Sequence, residues 1–331
     1  SQMLSFLLNK PSRYEKHRDR IEEAFVCYGI SSIGEWTFDD FHSLKTVVIA
    51  DGVMSIGDKA FGNCVMLTRI FIPGSVTSMG YRPFYGCEQL KSIEVTEGKQ
   101  HCPVVDGLLF GQDMKSIISC VTFTKREYEI PGIITTICAR SFTNCKKLES
   151  ISIPNSVITI GDYAFDGCSG LTSVVIPDSV ENIGNAAFCK CNISSFKIPR
   201  SVTSFGGNPF IRCNKLEVID ISENTNFIFV DGVLMNSEMT QIIYCNQSKS
   251  GEYDIPSTVE SILPNAFRDC NQLTSITIPN SVTSIDCSVF RNCNGLTSIV
   301  IPDSVTSIGD NAFGSCTSLE SVVIPDSVTS I

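Results

Sequence analysis

The feature that most constrains this chain is an internal repeat with a period of 23 residues. Residues 308–325, IGDNAFGSCTSLESVVIP, recur in outline at 285–302 and at 262–279. A unit copied at a fixed spacing cannot bury its apolar side alone, so the copies stack and share a core. The repeat therefore predicts a solenoid. An apolar landmark before Gly-x-x-Ala-Phe or its variants marks the coils at Ile33, Ile56, Met79, Ile137, Ile160, Ile183, Phe205, Ile262, Ile285, Ile308 and Ile331.

Two steps between landmarks are long, 58 residues from Met79 to Ile137 and 57 from Phe205 to Ile262. Each contains a related apolar passage, 105–110 in the first and 230–235 in the second. A polar turn follows, and then a second apolar run that ends at Cys120 or Cys245. Two short β-rich runs around a polar turn predict a hairpin. Hairpin-bearing units are therefore expected near 96–130 and 222–255.

Within one coil, residues 273–285 (LTSITIPNSVTSI) alternate between apolar and polar side chains. Leu273, Ile276 and Ile278 are expected to point inward, in a short strand that pairs in parallel with the next coil. Pro279 ends the strand because proline has no N–H for the ladder. The Gly-x-x-Ala-Phe segment predicts a short helical or 3-10 turn whose phenylalanine fills the interior.

The first 29 residues lack the repeat and are expected to form an N-terminal helical cap over the solenoid of residues 30–331. Tyr14, Arg18, Ile21, Phe25 and Tyr28 follow one another at spacings of three and four, which is typical of an amphipathic helix. A solenoid needs such a cap over its first coil. The alternative, a basic helix that binds a partner, is weakened because the charges of this segment nearly cancel.

The charge balance argues against a nucleic-acid partner, and the lengths of the apolar runs argue against membrane insertion. The chain carries 25 Lys plus Arg against 35 Asp plus Glu. Nucleic-acid binding requires a basic stripe that neutralises phosphates, so no nucleic-acid partner is expected. No apolar run approaches the roughly 18 residues that span a bilayer, so no membrane insertion is expected in this chain. A leader either preceded Ser1 and was removed or never existed.

Nine of the sixteen cysteines each lie three residues after a phenylalanine, in one slot of the repeat. They are Cys64, Cys87, Cys145, Cys168, Cys191, Cys213, Cys270, Cys293 and Cys316. Such a ladder favours free thiols packed as small apolar groups. Disulfides remain an alternative. Metal or redox chemistry could be argued only for the close pair Cys189 and Cys191.

The repeat L-x-S-I-x-I-P-x-S-V-T-S-I-G-x-x-A-F-x-x-C resembles the BspA-type leucine-rich repeat, also called the Treponema pallidum type. The resemblance covers residues 30–331, including the hairpin units. It implies a leucine-rich-repeat right-handed superhelix with a parallel β-sheet on its concave face. Proteins similar to this are mostly surface or secreted proteins, several of them adhesins for host matrix proteins. The family shares no set of binding residues that carries over to this chain.

Residues of the predicted strands that point outward are the candidates for partner binding. An exposed aromatic beside an arginine is the composition of a binding hot spot, which singles out Phe71 with Arg69. The predicted contact set along the concave face is Val48, Arg69, Phe71, Glu94, Val175 and Lys197. The bland alternative is that single apolar surface residues are normal. The hairpins are the second candidate, through Phe110, Met114, Phe229, Met235 and Met239.

Catalysis is not expected. The three histidines, His17, His42 and His101, belong to no metal-binding or nucleophile motif, and no phosphate-binding loop is present. No catalytic, cofactor-binding or metal-binding residue is therefore predicted, and no cofactor.

The leading hypothesis is a non-enzymatic binding module, an adhesin-type ectodomain at the cell surface or outside the cell, with a protein or glycan ligand such as host extracellular matrix. The alternative is an intracellular scaffold without an adhesion role. The last coil ends on apolar residues with no polar cap after them. An uncovered coil invites pairing, so either further coils or an end-to-end homodimer through the C-terminal coil is expected.

Overall fold

The computed structural model describes residues 3–6, 15–76, 78–80, 83–87, 89–90, 92–96, 104–111, 114–120 and 123–330. The chain divides into two compact units. Unit 1 comprises residues 1–125 and 133–145, and unit 2 comprises residues 126–132 and 146–331.

The secondary structure is almost entirely short strands. In order along the chain, the first group is β1 Met3–Phe6, β2 Glu23–Val26, β3 Ser32–Ile33, β4 Thr46–Ile49, β5 Ser55–Ile56, β6 Arg69–Pro73, β7 Ser78–Met79, β8 Ser92–Thr96, β9 Val104–Val105, β10 Leu108–Phe110 and β11 Ser116–Cys120. The second is β12 Glu127–Glu129, β13 Thr136–Ile137, β14 Ser150–Ser152, β15 Thr159–Ile160, β16 Asn182–Ile183, β17 Ser195–Lys197, β18 Ser204–Phe205 and β19 Val218–Asp220. The third is β20 Phe227–Val230, β21 Val233–Asn236, β22 Gln241–Cys245, β23 Ser250–Asp254, β24 Ser261–Ile262, β25 Gln272–Thr277, β26 Ser284–Ile285, β27 Ser298–Val300 and β28 Ser307–Ile308. Among the described residues the one helix is a 3-10 helix at Glu15–Arg20.

Most coils contribute one strand to a front sheet and one to a back sheet. The front strands are β1, β2, β4, β6 and β8 in unit 1, and β12, β14, β17, β19, β23, β25 and β27 in unit 2. In unit 1 they pair in parallel in that order. The two-residue back strands pair in the same way, as in β3–β5–β7 and β15–β16–β18. The predicted repeat solenoid with parallel strands is confirmed.

The front strands alternate as their sequence predicts. In unit 1 the inward row Ala24, Val47, Ile70 and Ile93 is buried, and neighbouring residues face outward. The corner after the strand is a turn in which the valine N–H donates to the carbonyl of the strand-ending proline, as in Val282 to Pro279 at 3.1 Å. The corner serine then donates its Oγ–H to a carbonyl of the previous coil, for example Ser304 to Val282 at 2.7 Å. Proline and serine thus both satisfy backbone groups at the corner.

The prediction of a helical or 3-10 turn in each coil is wrong. In most segments that follow a landmark, two residues adopt the left-handed region, as Lys59 (φ 46°) and Asn63 (φ 52°) do. Backbone N–H groups there donate to the next coil, for example Phe38 to Ala60 at 2.7 Å. A helix would direct these N–H groups to carbonyls within its own segment. Stacking between coils therefore replaces the helix.

The predicted helical cap at residues 1–29 is also wrong as a helix. Beyond the 3-10 helix at Glu15–Arg20, strand β2 pairs in parallel with β4 and extends the front sheet into this segment. The side chains of the predicted helical face separate, because Ile21 is buried while Tyr28 is 74% exposed. Tyr14 lies outside the described residues. Pairing with a neighbouring strand outweighed local helix propensity here.

Both predicted hairpins are confirmed, and each contains one strand more than predicted. β10 pairs antiparallel with β11, and β21 with β22, around the polar turns. The additional strands, β9 and β20, join through two-residue Asp-Gly turns. Positive φ angles at Asp106, Gly107, Asp231 and Gly232 are those that a type I′ turn requires. Lys125 binds the Asp106 carboxylate at 2.7 Å, and Lys249 binds Asp231 in the same way.

The core is a stack of phenylalanines with a ladder of thiols beside it. Phe38 and Phe61 stack at 5.0 Å between ring centroids, and Phe165 and Phe188 at 5.4 Å. Ladder cysteines donate their S–H to a phenylalanine carbonyl of the preceding coil, as Cys64 does to Phe38 at 3.1 Å. The fifteen described cysteines are thiols that form no disulfide. The ladder slot is thus occupied by packed thiols, as predicted.

Candidate binding surface

Four of the six predicted contact residues lie together on the front sheet of unit 1. Val48 of β4, Phe71 of β6 and Glu94 of β8 are direct partners across the parallel strands. Arg69 lies two residues before Phe71, on the same face of β6. Arg69 and Glu94 are exposed, and Val48 and Phe71 are half-buried. The structure therefore brings these four side chains into one surface.

Phe25 extends this surface, and the sequence analysis missed it. Phe25 of β2 pairs with Val48 and is half-buried, so Phe25, Val48 and Phe71 form one row across three adjacent strands. We call this the apolar row. The sequence analysis assigned Phe25 to the buried face of a helix. The signal that identifies it is alternation, because its neighbours Ala24 and Val26 are buried.

Polar and charged residues border the apolar row. A parallel row consists of Glu23, Thr46, Arg69 and Ser92, one from each strand. At its edge, Lys45 binds Glu22 at 3.0 Å. An apolar centre with a charged border is the usual arrangement of a protein-binding surface.

The other two predicted residues, Val175 and Lys197, lie on the front sheet of unit 2. Val175 is 79% exposed and forms a single bridge with Ser152. The Lys197 ammonium donates to Glu223 at 2.7 Å, and this hydrogen bond raises the pKa of Lys197. Asp220, opposite Lys197 in β19, accepts from the Ser222 N–H, which lowers the pKa of Asp220. Lys197 is thus neutralised within its own sheet.

The hairpin residues named as the second candidate belong largely to the interior. Phe110 and Met235 are buried, and Met239 packs against the core of unit 2. Phe229 and Met114 are half-buried. The hairpins therefore offer much less apolar surface than their sequence suggests.

Catalytic and metal-binding arrangements were sought across the same described residues. His42 faces the carboxylates of Asp19 at 3.4 Å and Asp40 at 4.0 Å, in exposed positions. No group of three or more His, Cys, Asp or Glu in the described part of the chain is placed to hold a metal ion. Nor does any helix in the described ranges have the length and apolarity that crossing a membrane requires.

The repeated coils, the parallel sheets and the open outward face define a leucine-rich-repeat protein. The chain belongs to the BspA type leucine rich repeat family, which it matches over residues 16–125, 135–253 and 237–331. Members of this family are typically non-enzymatic, and the fold indicates a protein-interaction module.

Two solved structures are among those similar to this chain. A leucine rich cell surface protein from Faecalibacterium prausnitzii is 27% identical with a TM-score of 0.54, and the match covers 94% of this chain and 77% of that one. A leucine rich repeat protein from T. pallidum is 24% identical with a TM-score of 0.35, over 64% of this chain and 86% of that one. No similar sequence was found among curated proteins.

Proposed function

We propose that this chain is a protein-binding module that acts at the cell surface or outside the cell, with its contact surface on the front sheet of unit 1. The observation that carries the proposal is the apolar row of Phe25, Val48 and Phe71, bordered by Arg69 and Glu94. The similarity to a cell surface protein of F. prausnitzii supports the location.

The apolar row has the physical properties of a contact surface. Neighbouring parallel strands lie about 4.8 Å apart, so the three side chains are neighbours in one strip. The inward residues of the same strands, Val47 and Ile70, are fully buried and hold the backbone in place. A preorganised surface loses little entropy when a partner binds. Aromatic and arginine side chains are also the commonest sources of binding energy.

The proposed partner is a host protein or glycan of the extracellular matrix, which makes the chain an adhesin. Val175 and Lys197 are proposed as a secondary contact on unit 2. The alternative function, an intracellular scaffold, is favoured by one observation. Cys287 is an exposed free thiol, which is typical of reducing compartments.

A binding assay against a panel of immobilised, purified matrix proteins and glycans tests the proposal. The double substitution Phe71→Ala and Arg69→Ala should weaken the binding free energy of the ligand by more than about 2 kcal/mol, the scale of a hot spot. The matched control is the pair Val300→Ala and Ser298→Ala, which changes the same two strand positions in β27. The thermal midpoint should stay nearly constant in both variants.

Two results would contradict the proposal. Unchanged affinity in the Phe71 and Arg69 variant would exclude the apolar row as the contact. Failure of the unmodified chain to bind any member of the panel would exclude the adhesin function.

A further inference from the structure

Unit 2 contains a cluster of arginines on the segment that follows the landmark, away from the front sheet. Arg212, Arg268 and Arg291 come from three successive coils. The coil of Arg212 stacks on that of Arg268, since Asn208 N–H donates to Pro264 at 3.1 Å. The next coil follows directly, because Asp269 N–H donates to the Arg291 carbonyl at 2.9 Å. The three arginines therefore lie on adjacent stacked segments, close enough for Arg212 and Arg291 to act electrostatically on Arg268.

The carboxylate of Asp269 faces this cluster. Asp269 Oδ2 lies 3.5 Å from Arg212 Nε and 3.7 Å from Arg268 Nε, distances that fit ion pairs but not hydrogen bonds. Neither Asp269 Oδ2 nor Arg268 Nε has a hydrogen-bond partner, although both atoms are buried. Asp269 Oδ1 instead accepts from Asn292 at 2.7 Å. The cluster therefore has more positive charge than its own residues neutralise.

The charges nearest Arg268 confirm the imbalance. Burial lowers the pKa of Arg268, Asp269 opposes the shift, and Arg291 and Arg212 lower the pKa further. Arg268 remains charged because guanidinium groups do not lose their proton in proteins. Holding like charges together in a partly buried place costs folding free energy.

The chain contains one block twice, first from Met79 and again from Phe205, and each copy includes one long hairpin-bearing step. The first copy shows that stacking does not require this charge. The long step before Ile137 corresponds to that before Ile262, so Gly86, Thr143 and Asp166 of the first block correspond to Arg212, Arg268 and Arg291. The first block thus has no cation at any of the three positions. The Arg212–Asp269 pair connects the coils on either side of the second hairpin. Arg268 donates from Nη1 to Asn265 Oδ1 at 3.0 Å, an acceptor that carries no charge.

We infer that the arginine cluster is a binding site for a sulfate ester of an acidic saccharide. Each guanidinium presents several N–H groups in a planar fork that suits oxyanions. Three such forks on adjacent segments suit a group with three acceptor oxygens better than they suit a carboxylate. Bound sulfate would supply the negative charge that Asp269 alone does not, and a hydrogen-bond acceptor for Arg268 Nε.

The size of the cluster favours a saccharide over nucleic acid. Three coils extend over only about 10 Å, two rises of about 4.8 Å. A duplex-binding protein typically contacts six to ten phosphates, roughly, over a longer surface. The chain's net charge of −10 also disfavours docking on an anionic membrane surface. The choice of a saccharide as the source of the sulfate rests on the proposed extracellular function. The assignment of an oxyanion site does not depend on that function.

Calorimetric titration with a defined sulfated hexasaccharide tests the inference. The pair Arg268→Gln and Arg291→Gln should weaken binding at least about tenfold, because charge-assisted hydrogen bonds are each worth about a decade of affinity or more. The matched control, Arg126→Gln with Arg200→Gln, removes the same charge from side chains that are 76% and 72% exposed elsewhere on unit 2. It should retain affinity within about threefold, since distant surface charges are screened.

A second variant separates binding from folding. Arg291→Gln alone should weaken the hexasaccharide while the thermal midpoint stays constant or rises, because a repelling charge is removed. A lower midpoint with unchanged affinity would show a purely structural network and overturn the inference.

Further probes identify the ligand class. The desulfated hexasaccharide and inorganic sulfate should each bind more weakly than the sulfated hexasaccharide. Equal binding of the desulfated sugar, or equal or tighter binding of a DNA duplex or of inorganic sulfate, would overturn the assignment. Loss of hexasaccharide binding in the Phe71 and Arg69 variant would also overturn the assignment to the arginine cluster. If the chain binds the hexasaccharide but no matrix ligand, only the proposed function is contradicted.

Discussion

At the scale of single residues, small polar side chains in this chain serve the buried backbone. Ser179 donates to Val157 at 2.7 Å, and Cys293 donates its S–H to Phe267 at 3.0 Å. Each bond satisfies a carbonyl at the edge of the core, where an unpaired carbonyl would cost free energy. The thiol is well suited to this slot because it is nearly apolar and still donates weakly. The cysteine ladder is therefore a packing device.

The reactivity of the thiols follows from their burial. Burial raises the pKa of Cys213 to about 12, and it raises the pKa of Cys191 and Cys293 as well. Only the thiolate reacts, so these groups should resist alkylation near neutral pH. We expect mass spectrometry to show Cys287 labelled first in the folded protein. All nine ladder thiols should be labelled in denaturant without reductant, and if fewer than half react, the ladder is made of disulfides.

At the scale of the element, one coil is stable only through its neighbours. The segment 161–168 has left-handed residues at Tyr163 and Gly167, and its N–H groups donate to the following coil, as Phe165 does to Ala187 at 2.7 Å. A left-handed residue other than glycine costs roughly 1–2 kcal/mol. Bonds between coils and the phenylalanine stack offset that cost, so a coil without its neighbours would not keep this conformation.

Removing one ring from the stack tests this dependence. Phe165→Ala should cost about 3–5 kcal/mol, because it deletes a fully buried aromatic side chain. Hydrogen exchange should accelerate first in the coil of Phe165 and in that of Phe188, its stacking partner. Val175→Ala, at an exposed position, is the control and should change stability by less than about 0.5 kcal/mol. Uniform acceleration throughout unit 2 would contradict the nearest-neighbour account.

At the scale of the whole molecule, repeat spacing predicted the solenoid because coils stack only when equivalent residues recur in register. The same spacing located the hairpins, and the Asp106-Gly107 and Asp231-Gly232 pairs show that their additional strands were also predictable. The conformation of the turn segments was not predictable. Their left-handed positions hold residues such as Lys59 and Tyr163, whose side chains do not indicate a positive φ angle.

The helix prediction for the N-terminal segment was wrong for a different reason. This error also removed one residue from the predicted binding surface. Ile21, Phe25 and Tyr28 fit a helical spacing, and nothing local shows that β4 offers a pairing partner. Phe25 was consequently placed inside a helix, although it completes the apolar row with Val48 and Phe71. The side chains of the arginine cluster are likewise gathered by stacking across the second hairpin, which local sequence does not reveal.

The central claim is that partners bind the apolar row on the front sheet of unit 1. Hydroxyl-radical footprinting, with and without the ligand found in the binding panel, tests it most directly. Trp36 and Tyr85 are internal controls, because they lie on the turn segments of unit 1 and are 49% and 39% exposed. We predict that the ligand protects Phe25 and Phe71 from oxidation and leaves Trp36 and Tyr85 unchanged. Protection of Trp36 and Tyr85, with Phe25 and Phe71 oxidised as before, would contradict the claim.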